Sequence, residues 1–318
     1  MKLFLKKVFK FISIPLIIIV VCETCIIIFK NDIFSDKKFE KVFDKPIHLN
    51  KWVNGLPKKN TILIGGNSTV RFGFNPKLLN QLAQDTISFV NIGFDARDPI
   101  ESYFILKNLD LSNVSKLYYG IDPIIYTRGY FKNRYHYYYL DYNFLECVNY
   151  FGDHDNMVFF DRFINLYDYF FSSDKSKLRN NTIIPSDLGA KISMEAPKEF
   201  NPTVSETFQI SEYGWSDLEF KYLAKIVELC KSKNIDFYAV TMPRRSDFTK
   251  KYLKECKDIQ KYMDIKLASI FPKKKLIGKI NYLDSFGDEK LFINSDHLNA
   301  KGQLLFSRLF YDMIKKNL

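Results

Sequence analysis

One serine in this chain is placed where a nucleophile could act. Residues 61–64 form an apolar run that ends in two glycines, and Asn67, Ser68 and Thr69 follow directly. This pattern predicts a buried strand, a tight turn and a hydroxyl just beyond the carboxyl end of the strand. In open α/β sheets that edge is where ligands bind, so Ser68 is the candidate nucleophile if a base lies near it.

A histidine is the natural base for a serine, because its proton affinity suits neutral pH. The chain has four, and three are interpreted as structural or surface residues: His48, His136 and His154. His297 differs, because it lies in the loop NSDHLN before the C-terminal helix. It is therefore expected at the same sheet edge as Ser68, although the two are 229 positions apart.

The elements that must position these residues alternate along the chain. Strand-like runs occur at Thr61–Ile64, Ile87–Ile92, Lys116–Ile121, Phe237–Thr241 and Lys279–Leu283. Helix-like runs occur at Pro76–Ala83, Pro99–Leu109, Asp217–Lys233, Lys250–Met263 and Ala300–Lys316. The alternation predicts a three-layer α/β/α sandwich with a flavodoxin-like parallel sheet of about five strands.

Residues 123–215 interrupt the alternation. Within them, Tyr126–Phe171 holds 18 aromatic residues in 46 positions. We interpret the segment as an aromatic-packed helical insertion. A platform for sugar rings or acyl chains, or a face resting on a membrane, is the functional alternative.

The N-terminal residues 1–29 predict a basic terminus and a transmembrane anchor. Phe11–Phe29 is 19 residues long and contains one charged residue, Glu23, so a helix of this segment just spans the apolar core of a bilayer. The short basic terminus favours an inside N-terminus and a main domain outside the cytoplasm. Residues 30–60 are polar and lysine-rich and are interpreted as a stalk, and residues 61–318 as the domain.

Charge and cysteine usage exclude other classes of protein. The net charge is +11, but residues 1–60 carry +7 of it and residues 61–318 only +4. The domain has no basic stripe, so no nucleic-acid partner is expected. The five cysteines and four histidines show no zinc spacing, so no metal or cofactor is predicted. One disulfide stays open for an exported domain.

Three short motifs, in this order and spacing, resemble the SGNH/GDSL hydrolase superfamily. They are Gly66-Asn67-Ser68-Thr69, then Gly93 in VNIG, then Asp296-His297-Leu298-Asn299. The resemblance covers about residues 61–122 and 235–318. It is closest to membrane-anchored, exported members that transfer or remove acyl groups on cell-surface polysaccharides.

The resemblance implies a role for each motif residue. Ser68 attacks an acyl carbon, His297 accepts its proton, and the N–H groups of Ser68 and Gly93 hold the oxyanion. The side-chain donor to the oxyanion is either lost or comes from Asn67 or Asn91. The arginines near the site contact an anionic glycan, or alternatively form solvated salt bridges; they are Arg71, Arg97, Arg128, Arg244 and Arg245.

Three positions depart from the family pattern. Asn67 stands where the family has Asp, and Asp122 stands where the family has the oxyanion-binding Asn, so Asp122 is expected to contact substrate instead. An ionised carboxylate at 122 would repel an oxyanion. Asn294 stands where the family has the Asp that orients His. Asp296 or Asp284 could take that role, or the site could work as a Ser–His dyad.

The resulting expectation is a membrane-anchored serine esterase or O-acyltransferase, of acetyl type, for cell-envelope polysaccharide. Its partner would be an acylated cell-surface glycan and, for transfer, a multi-span membrane protein that supplies the acyl group. Its location would be the cell membrane, with one span. The alternative is a weakened or inactive SGNH-like protein that binds glycan or scaffolds an envelope polysaccharide system.

Overall fold

The computed structural model describes residues 2–35, 60–94, 97–126, 215–247, 253–277 and 289–318. Contacts divide the chain into two units. Helix α1, Lys2–Ser35, belongs to the first unit, and every other described element belongs to the second. The two units are described separately.

Helix α1 contains the predicted anchor, Phe11–Phe29, and continues to Ser35, so the first residues of the predicted stalk are helical. Most of its large apolar side chains whose burial is described are exposed, as Phe11 and Ile27 show, whereas Ile26 is buried. Within the residues that the structure describes, no helix is long and apolar enough to cross a membrane. The anchor therefore remains a prediction from the sequence. Residues 36–59 of the stalk lie outside the described ranges.

The second unit is built on a parallel five-stranded sheet. Its strands are β1 Thr61–Gly65, β2 Ser88–Asn91, β3 Val114–Ile121, β4 Asp236–Thr241 and β5 Leu276–Ile277. Their order in the sheet is β2-β1-β3-β4-β5, and all neighbours are parallel. This is the strand order of flavodoxin-like sheets, whose order reverses between β1 and β3. The predicted parallel α/β architecture is confirmed.

Six helices accompany the sheet in the described part of this unit. They are α2 Ser68–Gly73, α3 Pro76–Leu82, α4 Pro99–Asn108, α5 Asp217–Ser232, α6 Leu253–Ile270 and α7 Ala300–Ile314. Short 3₁₀ turns follow β3 at Pro123–Tyr126, precede β5 at Lys273–Lys275, precede α7 at Glu289–Leu291 and end the chain at Lys315–Asn317.

Helices pack against both faces of the sheet, because side chains alternate along each strand. Leu63 of β1 points into an apolar cluster that it shares with buried residues of α4, α5 and α6. Its neighbours Ile62 and Ile64 point into a second cluster with residues of α2, α3 and α7. All three β1 side chains are fully buried, which explains why this strand is a continuous apolar run.

The helix prediction was incomplete in two places. Helix α2 was not expected, since its sequence was interpreted as a turn leading to a helix near Asn75. Helix α6 runs seven residues beyond the predicted end at Met263. Leu267 explains the extension, because it lies one turn after Met263 in the same buried row.

Two further predictions fall outside the described residues. The predicted strand Lys279–Leu283 lies in the range 278–288, and the fifth described strand is the shorter β5 before it. Residues 127–214 of the aromatic insertion also lie outside the described ranges. Tyr126, at its start, is buried and stacks on Phe220 of α5 with ring centroids 4.5 Å apart.

Candidate active site

The turn between β1 and α2 is formed by residues that act locally. Gly66 has a φ of 142°, which side-chain-bearing residues rarely adopt. A Cβ on Gly66 would also lie 2.5 Å from Val70 Cγ2. Asn67 then caps α2, its Oδ1 accepting from the Thr69 N–H at 3.2 Å and from the Thr69 hydroxyl at 2.6 Å. Ser68 is consequently the first residue of α2, half-buried beyond the carboxyl end of β1.

The second motif, at the end of β2, is tied to this turn through Asn91. Its side chain donates to the carbonyls of Val70 at 3.0 Å and Phe74 at 3.3 Å, both in or directly after α2. Its Oδ1 accepts from the Gly93 N–H at 2.9 Å. The oxyanion donor predicted at Gly93 is therefore already engaged by Asn91, and Asn91 itself positions α2.

The loop that carries His297 is organised around Asn294. Asn294 Oδ1 accepts from the His297 N–H at 2.8 Å and from the Asp296 N–H at 3.3 Å, and it lies 3.0 Å from His297 Nδ1. The loop is also joined to the segment after β4, where the Arg245 N–H donates to the Ser295 carbonyl at 3.0 Å. Asn294 thus fixes the backbone of this loop and contacts the ring nitrogen Nδ1 of His297.

Asp296 supplies the carboxylate beside the histidine. Its Oδ1 lies 2.9 Å from His297 Nδ1, and its Oδ2 lies 3.8 Å from Arg244 Nη1. Burial by itself would raise the pKa of Asp296. The protonated His297 ring and the Arg244 guanidinium lower this pKa by more than burial raises it, so the net shift is downward. An ionised Asp296 at Nδ1 is the arrangement that stabilises an imidazolium ion.

Asp122, directly after β3, has partners inside the protein, and its contact with substrate stays a prediction. It is buried, with Oδ1 accepting from Arg244 Nη2 at 2.5 Å and Oδ2 accepting from Asn67 Nδ2 at 2.8 Å. Asn67 and Asp122, two of the three positions at which the sequence was expected to differ from the pattern it resembles, therefore contact each other as donor and acceptor.

Phe72 links the helix that begins at Ser68 to the ring of His297. Phe72 lies one helical turn after Ser68, so the two side chains share a face of α2. The Phe72 ring packs edge-on against the His297 ring, with centroids 4.9 Å apart and an interplanar angle of 71°. Within the described residues, no hydrogen bond joins the Ser68 hydroxyl to the His297 ring.

The two predicted substrate arginines after β4 both bind carboxylates of the protein. Arg244 contacts Asp122 and Asp296. Arg245 is buried and pairs with Asp247 through two contacts, at 3.0 and 2.6 Å. Their guanidinium groups organise the rim of the site in this structure, so the expected direct contact with a glycan is not what positions them.

The remaining predicted arginines lie elsewhere. Arg71 and Arg97 are buried and flank the ring of Phe94, with guanidinium carbons 4.8 and 5.1 Å from its centroid. Arg97 also donates to the Ile92 carbonyl. Arg128 and Asp284 lie outside the described ranges.

The sequence reasoning missed the pairing of Arg244 with Asp122 and the role of Phe72. A signal for the pair was present, because Asp122 follows β3 and Arg244 follows β4, and these strands are neighbours in the sheet. A carboxylate in the interior needs a cation or several donors. For Phe72 there was no such signal, since the helix that presents it was not predicted.

No group of three or more metal-binding side chains of His, Cys, Asp or Glu occurs among the described residues. The arrangement offers a hydroxyl group and an imidazole with an ionised carboxylate beside it. Buried charged side chains hold both groups in position. Comparison of the sequence with models of known protein families gives no match, and comparison with curated proteins gives none.

Proposed function

We propose that this chain is a membrane-anchored serine esterase or O-acyltransferase of the SGNH type, acting on acylated cell-envelope polysaccharide. The observation that supports it most is the Asp296–His297 pair packed, through Phe72, against the helix face that carries Ser68. A serine, an imidazole and a carboxylate in this relation are the groups that acyl transfer through a covalent intermediate requires.

The reaction follows from the roles of these groups. Ser68 Oγ bonds to the acyl carbon while its proton passes to His297, and the sugar oxygen then leaves with that proton. Water, or a hydroxyl of a second sugar, next attacks the acyl-enzyme and gives its proton to His297. Ser68 is released when it takes this proton back. Hydrolysis and transfer differ only in the attacking hydroxyl.

The oxyanion in this proposal is held by the backbone N–H of Ser68. Among the described residues no acceptor is bonded to that N–H, and it lies at the start of α2 beside Asn67. The Asn67 amide adds a second donor, because only one of its two protons is directed at Asp122. Donors fixed before the reaction lower the barrier without reorganisation.

The envelope location and the glycan substrate extend the proposal beyond the site. They rest on the apolar segment Phe11–Phe29 and on the resemblance of the three motifs. For transfer, a multi-span membrane partner would bring the acyl group across the membrane, since one helix cannot form a path for it.

A second candidate function is a glycan-binding or scaffolding domain without catalysis. Two observations favour it: the missing hydrogen bond between Ser68 and His297 among the described residues, and the Gly93 N–H engaged by Asn91. For the enzyme to work, the hydrogen bond between Ser68 and His297 would have to form and the contact of the Gly93 N–H would have to rearrange. Catalytic hydrogen bonds often tighten in this way when substrate binds.

Labelling with a fluorophosphonate probe separates the two candidates. The full-length chain in detergent should label at Ser68, and both Ser68→Ala and His297→Ala should lower the rate at least about a thousandfold. Ser112→Ala, at an exposed serine, is the matched control and should label as the wild type does. Unlabelled wild-type protein with an intact circular dichroism spectrum would favour the scaffold.

Acyl analysis of the envelope polysaccharide identifies the reaction. In cells that carry Ser68→Ala in place of the wild-type protein, acyl content should rise if the chain is an esterase and fall if it is a transferase. Unchanged acylation despite Ser68 labelling in vitro would contradict the polysaccharide substrate while leaving the esterase chemistry intact.

A further inference from the structure

Arg244 is a buried cation that joins three separate parts of the site. Its side chain is 6% exposed. One guanidinium nitrogen contacts Asp122 beyond β3 at 2.5 Å, and another lies 3.8 Å from Asp296 in the histidine loop. A buried charge is costly unless partners compensate it, so a guanidinium between two carboxylates is held firmly in place.

Each carboxylate uses its two oxygens on different partners. Asp122 accepts from Arg244 with Oδ1 and from Asn67 with Oδ2. Asp296 approaches His297 with Oδ1 and Arg244 with Oδ2. The contacts form a continuous path from the residue before Ser68 to the candidate base, in the order Asn67, Asp122, Arg244, Asp296, His297.

We propose that Asp122 and Arg244 act as one positioning unit that orients Asp296 and thereby sets the pH at which His297 accepts a proton. The consequence for catalysis rests on the proposed function, whereas the electrostatic coupling does not. The unit explains why a carboxylate stands at position 122: an asparagine there would leave the buried Arg244 with one fewer negative charge.

Because Asp122 and Arg244 carry opposite charges, removing one or the other should shift the protonation of His297 in opposite directions. Asp122→Asn removes a negative charge and leaves Arg244 facing Asp296, so protonation of His297 becomes less favourable. Arg244→Gln removes the positive charge beside Asp296, so protonation becomes more favourable. The charged groups whose contacts join this path to the ring are Asp296, Arg244 and Asp122; Arg245 and Asp247 pair with each other close by.

The test is a titration of the His297 ring by NMR in the full-length chain, with isotope-labelled histidine in detergent micelles. The chain has only four histidines, and His297→Gln assigns the signal. We expect the His297 midpoint to move to lower pH in Asp122→Asn and to higher pH in Arg244→Gln, each by about half a pH unit or more. The double variant should lie between the two single variants.

Two further variants control for nonspecific effects. Arg245→Gln removes a neighbouring buried arginine whose side chain pairs with Asp247, and should move the His297 midpoint less than Arg244→Gln does. Arg244→Lys keeps the charge but not the two-pronged geometry, so it should move the midpoint less than Arg244→Gln does. Midpoints that shift in the same direction in both single variants, or in neither, would overturn the proposal.

The outcome is distinguishable from that of the proposed function. Opposite shifts without any labelling of Ser68 would sustain the positioning unit and defeat the enzyme. Labelling of Ser68 whose rate follows the same pH midpoint in every variant would sustain the enzyme and defeat the positioning unit. If an Arg244 variant does not fold, Asp122→Asn and the charge-balanced double variant carry the test.

Discussion

The turn that carries Ser68 and the loop that carries His297 reach the same site by different means. The turn is set by its own sequence: Gly66 supplies the positive φ, and Asn67 caps the helix that Ser68 begins. In the loop, Asn294 also fixes the backbone locally, but the carboxylate beside His297 is held by Arg244, which contacts Asp122. The comparison shows that a short motif can set a turn by itself, whereas the charges around a loop depend on distant residues.

The largest expected effect tests whether the conformation of the turn at Gly66 is set by its own sequence. Gly66→Ala would force a side chain into a positive φ and place its Cβ 2.5 Å from Val70 Cγ2. We expect a loss of about 2–4 kcal/mol in the free energy of unfolding, from backbone strain and overpacking together. Urea denaturation followed by circular dichroism measures it.

Gly65→Ala is the matched control for this prediction. Its added Cβ would meet the Tyr119 side chain at 3.3 Å, and Gly65 lacks the positive φ of Gly66. It should therefore cost clearly less than Gly66→Ala. Equal costs at the two glycines would mean that packing, and not the turn conformation, determines the sequence there.

A smaller effect is expected where the turn contacts the buried carboxylate after β3. Asn67→Asp replaces the donor in the 2.8 Å contact with Asp122 by a second carboxylate. We expect a loss of about 1–3 kcal/mol in the free energy of unfolding, since two buried carboxylates would face each other.

The exchange Asn67→Asp with Asp122→Asn should recover most of that loss. An asparagine at 122 can donate to the new carboxylate while its oxygen still accepts from Arg244. A double-mutant cycle in urea gives the coupling energy directly. If the double variant is no more stable than Asn67→Asp alone, the contact between the two positions does not explain their departure from the family pattern.

The smallest effect concerns pH and the loop alone. The pKa of Asp296 is lower in the folded chain than in the unfolded chain. Its contribution to stability is therefore present above the unfolded value, near 4, and is lost as the pH falls through the lowered value. We expect about 1 kcal/mol from this group, seen as a wild-type advantage over Asp296→Asn that shrinks between about pH 5 and pH 2.

Urea denaturation at a series of pH values measures this contribution. His297→Gln removes the cation beside Asp296 and should weaken the same pH-dependent part of stability. A wild-type advantage over Asp296→Asn that stays constant from pH 5 to pH 2 would contradict the contact between Asp296 and His297.

Strands β1 and β2 were predictable because they are buried on both faces. An apolar run such as Ile62-Leu63-Ile64 places side chains in the cores on both faces of the sheet. Such a run can be recognised without knowing which strands lie beside it. Helix α2 was not predictable in the same way. It has six residues, and its cap and first two residues are Asn, Ser and Thr. These residues favour turns and helix caps equally, so only its packing on the sheet decides for helix.

The candidate site also has a part that was predictable from the sequence and a part that was not. Ser68 and His297 were predicted from residue type and position, and the structure brings Phe72 on the Ser68 face of α2 against the His297 ring. Asp122 was expected to contact substrate, and the structure adds a partner that the sequence analysis did not foresee, the buried cation Arg244. Gly93 was expected to offer its N–H, which Asn91 takes in the structure.

By itself the sequence determined the parallel α/β architecture, the sharp turn at Gly66 and the positions of the serine and the histidine. Those features depend on burial periodicity and on backbone conformations that few residues adopt. Only the tertiary structure decided which charges meet. Arg244 follows β4 and Asp122 follows β3, and their pairing exists because these strands are neighbours in the sheet. Electrostatic partners are set by distance in space, which residue spacing along the chain does not encode.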